Sequence, residues 1–299
     1  MVDCVKTTEY AVALGFFDGL HTAHLAVIEN VLKFRDKGLI PAVMLFDEHP
    51  KKILYGKKIP YLLQTDIRDK KLSEKGLTAL YTTFSYIKDL SPEEFVKEIL
   101  SEKFSARAVV CGYNFSFGKN GEGNSDLLCE ICADYGIEVK VCPEVKLDGE
   151  PVSSTRIRKL IRNGEIEEAN RMLGYNFCFS SEIFTGDRRG RLLGTPTINQ
   201  YLPEELIVPL FGVYASKVYF DGKEYVGVTN IGCRPTFDGE NVRSETYIIG
   251  YDGNLYGKNV EINLYKFLRT EKKFEDAASL KVQIAQDVEK TKEYFSVFG

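Results

Sequence analysis

The stretch AVALGFFDGLHTAH, residues 11–24, predicts how the first half of the chain folds. It begins with an apolar run of strand length that ends in glycine, and it continues through a short turn. Next comes a segment in which Leu25, Ile28 and Leu32 recur on one helical face until Gly38. A strand, a tight turn and a helix in this order predict the opening unit of a parallel α/β sheet.

The same alternation of strands and helices continues to about residue 142. Four further runs have the length and apolar character of strands, at residues 40–46, 78–84, 106–112 and 137–142. Ser91, Pro92 and Glu94 have the types and spacing of a helix start with a capping box. Residues 125–135 predict another helix, which Gly136 ends. This half therefore predicts a parallel sheet with helices on both faces.

After Gly174 the pattern changes to short strands. Two short helical segments, 157–161 and 169–173, come first. Strand-like runs then follow at 212–220, 225–229 and 260–267, with Asp-Gly pairs typical of turns at 221–222, 238–239 and 252–253. Residues 277–294 predict an amphipathic C-terminal helix. We expect a small antiparallel β-barrel here, with a domain boundary near 175–180.

Composition narrows the classes of function. The 299 residues carry a net charge of −4, which argues against a nucleic-acid surface, although local donors can still bind small anions. No uncharged apolar run approaches the roughly 20 residues that span a bilayer, and the first residues lack the pattern of a secretion signal. The seven scattered cysteines suit reduced thiols. We expect a cytoplasmic protein without nucleic-acid or membrane partners.

Cys129 and Cys132 form a C-x-x-C pair, a spacing found in redox and metal sites. Cys132 also follows helical spacing with Leu128 and Ile131, and no second metal pair accompanies it. We favour the interpretation that both are buried structural thiols.

His21 and His24 are two of only three histidines in the chain. On the first turn of a helix they would lie near N–H groups and positive potential that favour phosphate, at the strand ends where open α/β sheets bind ligands. Alone, this motif favours an ordinary strand and turn over a phosphate site.

Two other segments have residue types that bind phosphate. VSSTRIR, 152–158, places hydroxyls and two arginines at a helix start, where a plain N-cap with solvated arginines is the simpler interpretation. GDRRGRLLGTPTINQ, 186–200, is rich in glycine and arginine, and Thr197 and Asn199 would face the same way on a strand. A basic surface loop followed by a strand is the alternative.

These segments together resemble one known family. GFFDGLHTAH resembles the G-x-F-D-G-x-H-x-G-H signature in the nucleotidyltransferase half of prokaryotic bifunctional riboflavin kinase/FMN adenylyltransferase. VSSTRIR resembles its second nucleotide motif, CGYNFSFGKNGEG (111–123) its flavin-binding segment, and FDEHP (46–50) its turn after the second strand. The motifs occur in the family's order, and the resemblance covers essentially the whole chain.

The second half resembles the riboflavin kinase domain of the same family. Residues 194–199, GTPTIN, are similar to its G-x-P-T-x-N signature. VPLFGVYA, NIGCRPTF, SETYII and LYGKNVEI follow in the kinase order, at 208–215, 230–237, 244–249 and 255–262. The resemblance implies a Rossmann-like FMN adenylyltransferase domain over 1–177 and a riboflavin kinase domain, a six-stranded antiparallel barrel with a C-terminal helix, over 178–299.

The resemblance implies FAD synthesis in two steps. Riboflavin and ATP give FMN, and FMN and a second ATP then give FAD and pyrophosphate. The expected small-molecule partners are therefore riboflavin, FMN and ATP, with Mg²⁺ as the cofactor that ATP chemistry uses. At most a weak homo-oligomer is expected.

The resemblance also implies roles for individual residues. Glu245 would be the general base of the kinase, with an exposed strand glutamate as the alternative, and His21 and His24 would be catalytic residues of the adenylyltransferase. The ATP-binding and phosphate-binding residues would be Gly15, Phe16, His21, His24, Ser154, Thr155, Arg158, Gly194, Thr197 and Asn199. Thr197 and Asn199 would also bind the metal ion. Asn114, Phe115 and Arg269 would contact the flavin, although a salt bridge explains Arg269 nearly as well.

One departure from the family pattern stands between the two histidines. The H-x-G-H signature has Ala23 where the family has glycine. Ala23 is harmless if its φ is negative, and it weakens ATP binding if the ligand packs against its methyl group. Two alternatives follow: an enzyme in which only the kinase half works, and a non-catalytic flavin-binding module. The second alternative predicts loss of residues such as Glu245 and Asn199, and both are present.

Overall fold

The chain forms two compact units in its computed structural model. The structure describes residues 8–47, 50–56, 59–186, 195–236 and 239–298. The first unit holds Met1–Ile59 and Thr65–Ser153, and the second holds Pro60–Gln64 and Ser154–Gly299. Within the described ranges, no helix has both the length and the apolar character needed to cross a membrane.

The first unit is built on a parallel sheet. Its strands in the described part are β1 (Tyr10–Ala13), β2 (Ile40–Phe46), β3 (Thr78–Thr82), β4 (Ala106–Gly112) and β5 (Glu138–Cys142). They pair in the order β3-β2-β1-β4-β5, and every pairing is parallel. After β1 the chain adds β2 and β3 on one side of it, and then β4 and β5 on the other side. The switch point of the sheet therefore lies between β1 and β4. The predicted strands and sheet are confirmed.

Helices and one small hairpin connect these strands. They are α1 (Thr22–Leu32, continued as a 3-10 turn, Lys33–Lys37), α2 (Pro50–Tyr55), α3 (Thr65–Glu74), α4 (Phe84–Ile87), α5 (Pro92–Glu94, continued as a π-helix, Phe95–Lys103), a 3-10 turn (Lys119–Gly121), α6 (Ser125–Asp134), β6 (Lys146–Leu147) and β7 (Glu150–Pro151). The predicted capping box is present, since the Glu94 N–H donates to Ser91 Oγ and the Ser91 N–H donates to the Glu94 carboxylate.

The central strands of this sheet are buried on both faces. Val12 and Val109 belong to a core cluster that includes Phe95 and Leu128 from the helices α5 and α6. The alternate residues of β1 and β4 point to the opposite face and are equally buried. Helix α1 contacts these strands and buries its own apolar side chains, Val27, Ile28 and Val31. Helices therefore lie on both faces, as predicted.

The second unit is a closed barrel with three helices in its described part. Its elements are α7 (Ser154–Arg162), α8 (Ile166–Leu173), β8 (Cys178–Phe184), β9 (Thr197–Tyr201), β10 (Gly212–Phe220), β11 (Lys223–Thr236), β12 (Gly239–Ile248), β13 (Asn259–Thr270) and α9 (Ala277–Phe298). The strands close in the order β10-β11-β12-β9-β8-β13, with antiparallel pairs throughout. The predicted barrel and C-terminal helix are confirmed.

The turns predicted at the three Asp-Gly pairs have different outcomes in the structure. Asp221 and Gly222 form the two-residue turn of the β10–β11 hairpin, both with positive φ, as predicted. The pair at 252–253 does not form a hairpin, because β12 and β13 are not paired with each other. The pair at 238–239 includes a residue outside the described ranges.

Helices α7 and α8 pack with the barrel. The Asn170 amide donates to the Leu264 carbonyl at 2.8 Å and accepts the Phe177 N–H at 2.7 Å. The Leu210 N–H donates to the carbonyl of Ile161. The compact units therefore divide at 153/154, whereas the functional boundary at 177/178 stays a prediction.

The two faces of the barrel wall carry different polar groups. Thr246 and Thr229 are fully buried, and their hydroxyls continue a hydrogen-bond chain to Ser216 inside the barrel. Gln200 is also fully buried and donates to the carbonyls of Ser181 and Val260. Because side chains alternate along a strand, the residues between these point outward. The outward row includes the candidate kinase residues.

Candidate functional site

The turn after β1 is held in an unusual backbone conformation. Phe17 and Leu20 have φ of 51° and 43°, and Gly19 has a φ of 88°. A positive φ is costly for a large side chain, so surrounding structure must impose it. Phe17 and Leu20 are both buried, which anchors the turn to the core. The next residue, His21, is therefore placed by packing on its N-terminal side.

His21 caps helix α1. Its Nδ1 accepts the N–H of His24 at 3.4 Å, and its backbone is extended, as expected of an N-cap residue. With Nδ1 accepting this bond, Nε2 is the ring nitrogen of His21 that can donate. The cap thus fixes which nitrogen of His21 can donate to a ligand.

His24 stacks on His21 in a nearly parallel arrangement. The ring centroids lie 3.7 Å apart at an interplanar angle of 15°, and Phe17 contacts His24 at 5.2 Å. Burial, together with the neighbouring His21, holds the pKa of His24 well below 6.5. The Nδ1 of His24 is buried without a hydrogen-bond partner among the described residues. The pair presents two stacked imidazoles at a helix N-terminus, which suits hydrogen bonds to phosphate oxygens.

Ala23 lies between them as the second residue of α1. The φ of Ala23 is not positive, so its backbone does not require glycine. Of the two ways in which alanine could matter here, the backbone conflict is excluded. A clash with bound ATP stays untested.

The neighbouring residues of the motif have packing roles. A Cβ on Gly15 would lie 3.3 Å from the Phe17 ring, so this position is tight for any side chain. Phe16 stacks on Phe46 with centroids 6.3 Å apart. The predicted contacts of Gly15 and Phe16 with ATP stay predictions.

The predicted flavin segment follows β4. Asn114 is exposed, and Phe115 is partly buried with its ring stacked on Phe117 at 5.7 Å. Because β4 pairs in parallel with β1, Asn114 and His21 follow adjacent strand ends at one edge of the sheet. The sequence predicted strand ends as the place of the histidines, and the strand pairing puts Asn114 at the same edge.

The described part of the chain has no group of three His, Cys, Asp or Glu side chains that could hold a metal ion, at the C-x-x-C pair or elsewhere. Cys132 is buried as predicted, and burial raises its pKa to about 12. Cys129 is exposed, so the prediction that both thiols are buried was wrong for this residue. Positions three apart on a helix differ by about 60° in direction, which places Cys132 within the core-facing stripe and Cys129 outside it.

Helix α7 carries the second group of predicted phosphate residues, within the second unit. Ser154 is its first residue, and Thr155 is exposed beside it. Arg158 is only 8% exposed, and its Nε donates to the Pro60 carbonyl at 2.9 Å. This bond anchors the guanidinium. The phosphate-binding roles of all three stay predictions.

The barrel brings Asn199 and Glu245 together. Asn199 on β9 lies directly opposite Glu245 on β12, and Glu245 lies opposite Asn230 on β11. Directly opposed residues in an antiparallel pair have Cβ atoms about 5 Å apart on the same face. Thr197 is two residues before Asn199 and faces the same way. An amide, a carboxylate and a hydroxyl therefore form one polar group on the outer wall.

Glycine is required beside this group. A Cβ on Gly186 would lie 2.6–2.7 Å from the side-chain amide of Asn199, so no other residue fits without displacing it. Thr195, close to Thr197 in sequence, has a buried hydroxyl without a partner among the described residues. Gly194 lies outside the described residues, and so do the other residues of 187–194.

A cavity of about 220 Å³ opens next to Thr197. Its walls are Thr197, Pro196, three inward-facing isoleucines and the loop that follows β12: Ile183, Ile198, Ile248 and residues 251–256. Its isoleucines and Pro196 form an apolar side, and Thr197, Asp252 and Asn254 add polar groups, a mixture that is typical of small-molecule sites. Thr197 thus belongs both to the cavity wall and to the polar group that it forms with Asn199 and Glu245.

Arg269 forms a salt bridge. Its Nε and Nη2 both donate to the Asp287 carboxylate on α9, at 3.0 Å and 2.8 Å, and Asp287 is 1% exposed. Its Nη1 donates to the Thr270 carbonyl. These bonds match the alternative that the sequence offered for Arg269. Contact with a flavin stays a prediction.

Two residues beside the group were not singled out from the sequence. Asn230 is opposite Glu245 and donates to Glu271 at 3.3 Å. Arg243 is two residues before Glu245 and lies opposite Tyr201. The only sequence signal for them is their parity with Glu245 on the outward face, and it becomes informative once the strand pairing is known.

Comparison with known proteins finds a matching family model for each half of the chain. A family model described as FAD synthetase matches residues 5–156, and one described as riboflavin kinase matches residues 173–295. A protein of Listeria monocytogenes named bifunctional riboflavin kinase/FMN adenylyltransferase is 36% identical, covering 95% of this chain and 92% of its own. The protein of the same name in Bacillus subtilis is 34% identical over the same shares.

A solved structure has the same fold over almost the whole chain. It is a crystal structure of a Streptococcus pneumoniae protein named macrolide-efflux protein, with a TM-score of 0.87 and 30% identity. The match covers 97% of this chain and 96% of that one. The curated relatives above carry the name of the bifunctional enzyme instead.

Proposed function

The chain belongs to the bifunctional riboflavin kinase/FMN adenylyltransferase family, and we propose that it makes FAD in two steps. The second unit phosphorylates riboflavin with ATP to give FMN and ADP. The first unit supplies the histidine pair for the adenylylation of FMN, which gives FAD and pyrophosphate. The observation that carries the kinase half is the pairing of Asn199 with Glu245 across β9 and β12.

In the kinase step, Glu245 acts on the ribityl 5′-hydroxyl. That oxygen bonds to the γ-phosphorus of ATP, the bond from the γ-phosphorus to the bridging oxygen breaks, and ADP leaves. The hydroxyl proton passes to the Glu245 carboxylate. A carboxylate is a weak base, so orientation of the hydroxyl is a large part of its role.

We propose that Thr197 and Asn199 bind the phosphates and Mg²⁺. The donors here are a hydroxyl, an amide oxygen and the nearby carboxylate of Glu245, all oxygen ligands of the kind Mg²⁺ prefers. Mg²⁺ commonly uses few protein ligands and completes its shell with phosphate oxygens and water. When bound, it would neutralise charge on the phosphates. The cavity beside Thr197 is our candidate for the nucleoside end of ATP.

In the adenylylation step no protein nucleophile is required. An FMN phosphate oxygen bonds to the α-phosphorus of ATP, and pyrophosphate leaves with the bond to the bridging oxygen. His21 and His24 donate to phosphate oxygens, beside Gly15 and Phe16. Fixed donors at a helix N-terminus stabilise charge that develops in the transition state.

The remaining predicted residues keep their assigned roles in this proposal. Asn114 and Phe115 contact the flavin of FMN. Ser154, Thr155 and Arg158 bind pyrophosphate oxygens. We also propose a cytoplasmic location, which the free thiols of the described cysteines support. The weak homo-oligomer stays a prediction.

A product assay distinguishes this proposal from its alternatives. The protein is incubated with riboflavin, ATP and Mg²⁺, and the flavins are separated by chromatography. FAD supports the two-step enzyme. FMN alone supports a kinase whose adenylyltransferase half is inactive, and unchanged riboflavin supports a non-catalytic flavin-binding module. The helical backbone of Ala23 argues against the second outcome.

A further inference from the structure

Gln200 lies inside the barrel where β9, β8 and β13 meet. Its Nε2 donates to the Ser181 carbonyl on β8 at 2.6 Å and to the Val260 carbonyl on β13 at 2.8 Å. The ladder between β8 and β9 is short, since only two residue pairs join these strands in the described part of the chain. The side-chain amide of Gln200 therefore supplies two of the bonds that tie β9 into the closed barrel.

Two buried polar atoms on the inner face of the barrel have no hydrogen-bond partner among the residues that the structure describes. They are Gln200 Oε1 and Ser244 Oγ, and both residues are 0% exposed. Gln200 and Ser244 are directly opposed across β9 and β12, so their Cβ atoms lie about 5 Å apart on the same face. The two unpaired atoms therefore belong to one place in the barrel interior.

The chemistry of these atoms favours a small neutral ligand. The amide oxygen can only accept a hydrogen bond, whereas the hydroxyl can both donate and accept. The two groups do not bond to each other, since the amide is held towards β8 and β13 by the bonds that it donates. A water molecule can donate to Gln200 Oε1 and bond the Ser244 hydroxyl at the same time, and buried waters commonly satisfy such groups.

The neighbouring hydroxyls are already occupied with one another. Ser216, Thr229 and Thr246 form a chain of hydrogen bonds with oxygen separations of 2.7 Å and 2.9 Å. This chain joins the side chains of β10, β11 and β12. On the inner face, a polar side-chain link from β12 to β9 therefore depends on Ser244 and Gln200.

Gln200 and Ser244 lie directly behind the predicted kinase residues. Gln200 follows Asn199 on β9, and Ser244 precedes Glu245 on β12. Because side chains alternate along a strand, Asn199 and Glu245 form the next pair of the same ladder on its outer face. A shift of β9 against β12 would therefore move the Asn199 amide away from the Glu245 carboxylate. A misplacement of about 1 Å can slow a reaction about a hundredfold.

We infer that one internal water bridges Gln200 Oε1 and Ser244 Oγ, and that these two side chains are positioning residues of the kinase site. With this water, polar side-chain bonds connect all six strands of the barrel. The bridge fixes β9 against β12 and so holds Asn199 beside Glu245. The positioning role rests on the proposed kinase function, whereas the water site does not.

A crystal structure of the full chain, at a resolution that shows ordered solvent, tests the water directly. One solvent peak should lie within hydrogen-bond distance, about 2.7–3.0 Å, of both Gln200 Oε1 and Ser244 Oγ. A direct bond between the two side chains would overturn the bridge. So would electron density that shows no solvent peak between them.

Steady-state FMN formation tests the positioning role. Ser244→Ala removes one partner of the water and should lower kcat about tenfold, with little change in the KM values for riboflavin and ATP. Gln200→Met keeps the length of the side chain but removes the amide, so kcat should fall further. Ser244→Thr keeps the hydroxyl and should retain most of the native kcat. A native kcat in Ser244→Ala would overturn the positioning role.

Ser216→Ala is the matched control, because Ser216 is an equally buried serine of the same barrel whose hydroxyl bonds to Thr229. It should lower the free energy of unfolding in urea without lowering kcat. An equal loss of kcat in Ser216→Ala and Ser244→Ala would indicate a general loss of stability and would overturn the positioning role. If the unmodified protein makes no FMN, the proposed kinase function fails, while the solvent peak still tests the water bridge.

Discussion

The two candidate sites are assembled in different ways. In the first unit, Gly15 to His24 is one short stretch, and the site is a strained turn with a capped helix start. In the barrel, Asn199 and Glu245 are 46 positions apart in the numbering and meet only because β9 pairs with β12 in one register. A local motif fixes the first site. Long-range strand pairing fixes the second, so a change of register would destroy it.

The largest expected effect comes from the residue that depends most on that register. Glu245→Gln keeps the size of the side chain but removes the carboxylate that accepts the proton. General-base catalysis contributes about 10²–10⁴-fold, so FMN formation should fall at least about a hundredfold. FAD formation from supplied FMN should continue at the native rate, as measured by chromatography.

Glu261→Gln is the control for this variant, because Glu261 is a strand glutamate of the same barrel that accepts a hydrogen bond from Asn263. It should leave both steps intact. If Glu245→Gln also stops FAD formation from FMN, the two sites are not independent, and the comparison between them fails.

Arg269 sharpens the comparison because it lies on the same outward row of the barrel. The row continues from Glu245 through Asn230 and Val213 to Arg269. Arg269→Met would leave the Asp287 carboxylate buried and unpaired. Such a loss costs about 3–5 kcal/mol, so the free energy of unfolding in urea should drop by about that amount.

A double variant separates stability from flavin binding. Arg269→Met with Asp287→Leu replaces the buried pair by apolar groups and should regain most of the lost stability. A riboflavin Kd that is raised in the single variant and equally raised in the double variant supports the predicted flavin contact. A native Kd means that Arg269 only ties α9 to the barrel. Unchanged stability in the single variant would contradict the role of the salt bridge.

The sequence predicted the elements better than their long-range pairing. The five parallel strands and the box at Ser91 depend on local patterns and were confirmed. Helix α3, TDIRDKKLSE, was missed because it carries few apolar residues at helical spacing. Strand β9 was read only through Thr197 and Asn199, and the sequence gives no indication that it pairs with β12. Register depends on the closure of the whole barrel, which no short segment encodes.

The same limit applied to individual site residues. The histidine pair could be predicted because both residues lie in one short helix start. The Arg269–Asp287 pair joins a strand to a helix, and Arg243 gains meaning only from its position opposite Tyr201. Ala23 could be interpreted only once its backbone was known, since the effect of alanine there depends on φ.

The stability of the first unit should depend on pH through His24, and this effect should be smaller than those of the barrel variants. The pKa of His24 in the folded protein lies below its unfolded value of about 6.5, so the unfolded chain takes up this proton first. The contribution of His24 to stability is therefore complete above pH 6.5 and decreases as pH falls below it. Hydrogen exchange of the β1 and β4 amides at pH 7.5 and 5.5, corrected for intrinsic rates, should report a loss of protection. His24→Gln should reduce that loss, and an equal loss in the variant would contradict the assignment.

The smallest expected effect is that of Ala23→Gly, which restores the residue of the family signature. Because Ala23 is helical, the change relieves no backbone strain, and glycine inside a helix costs up to about 1 kcal/mol. If ATP does not touch the methyl group, adenylylation should stay within about twofold of the native rate, while the first unit becomes slightly less stable. Rates of FAD formation from FMN, measured at saturating and limiting ATP, provide the test. A clear rise at limiting ATP would show that the methyl obstructs the nucleotide. The first site would then depend on contact between ligand and side chain as well as on its local backbone.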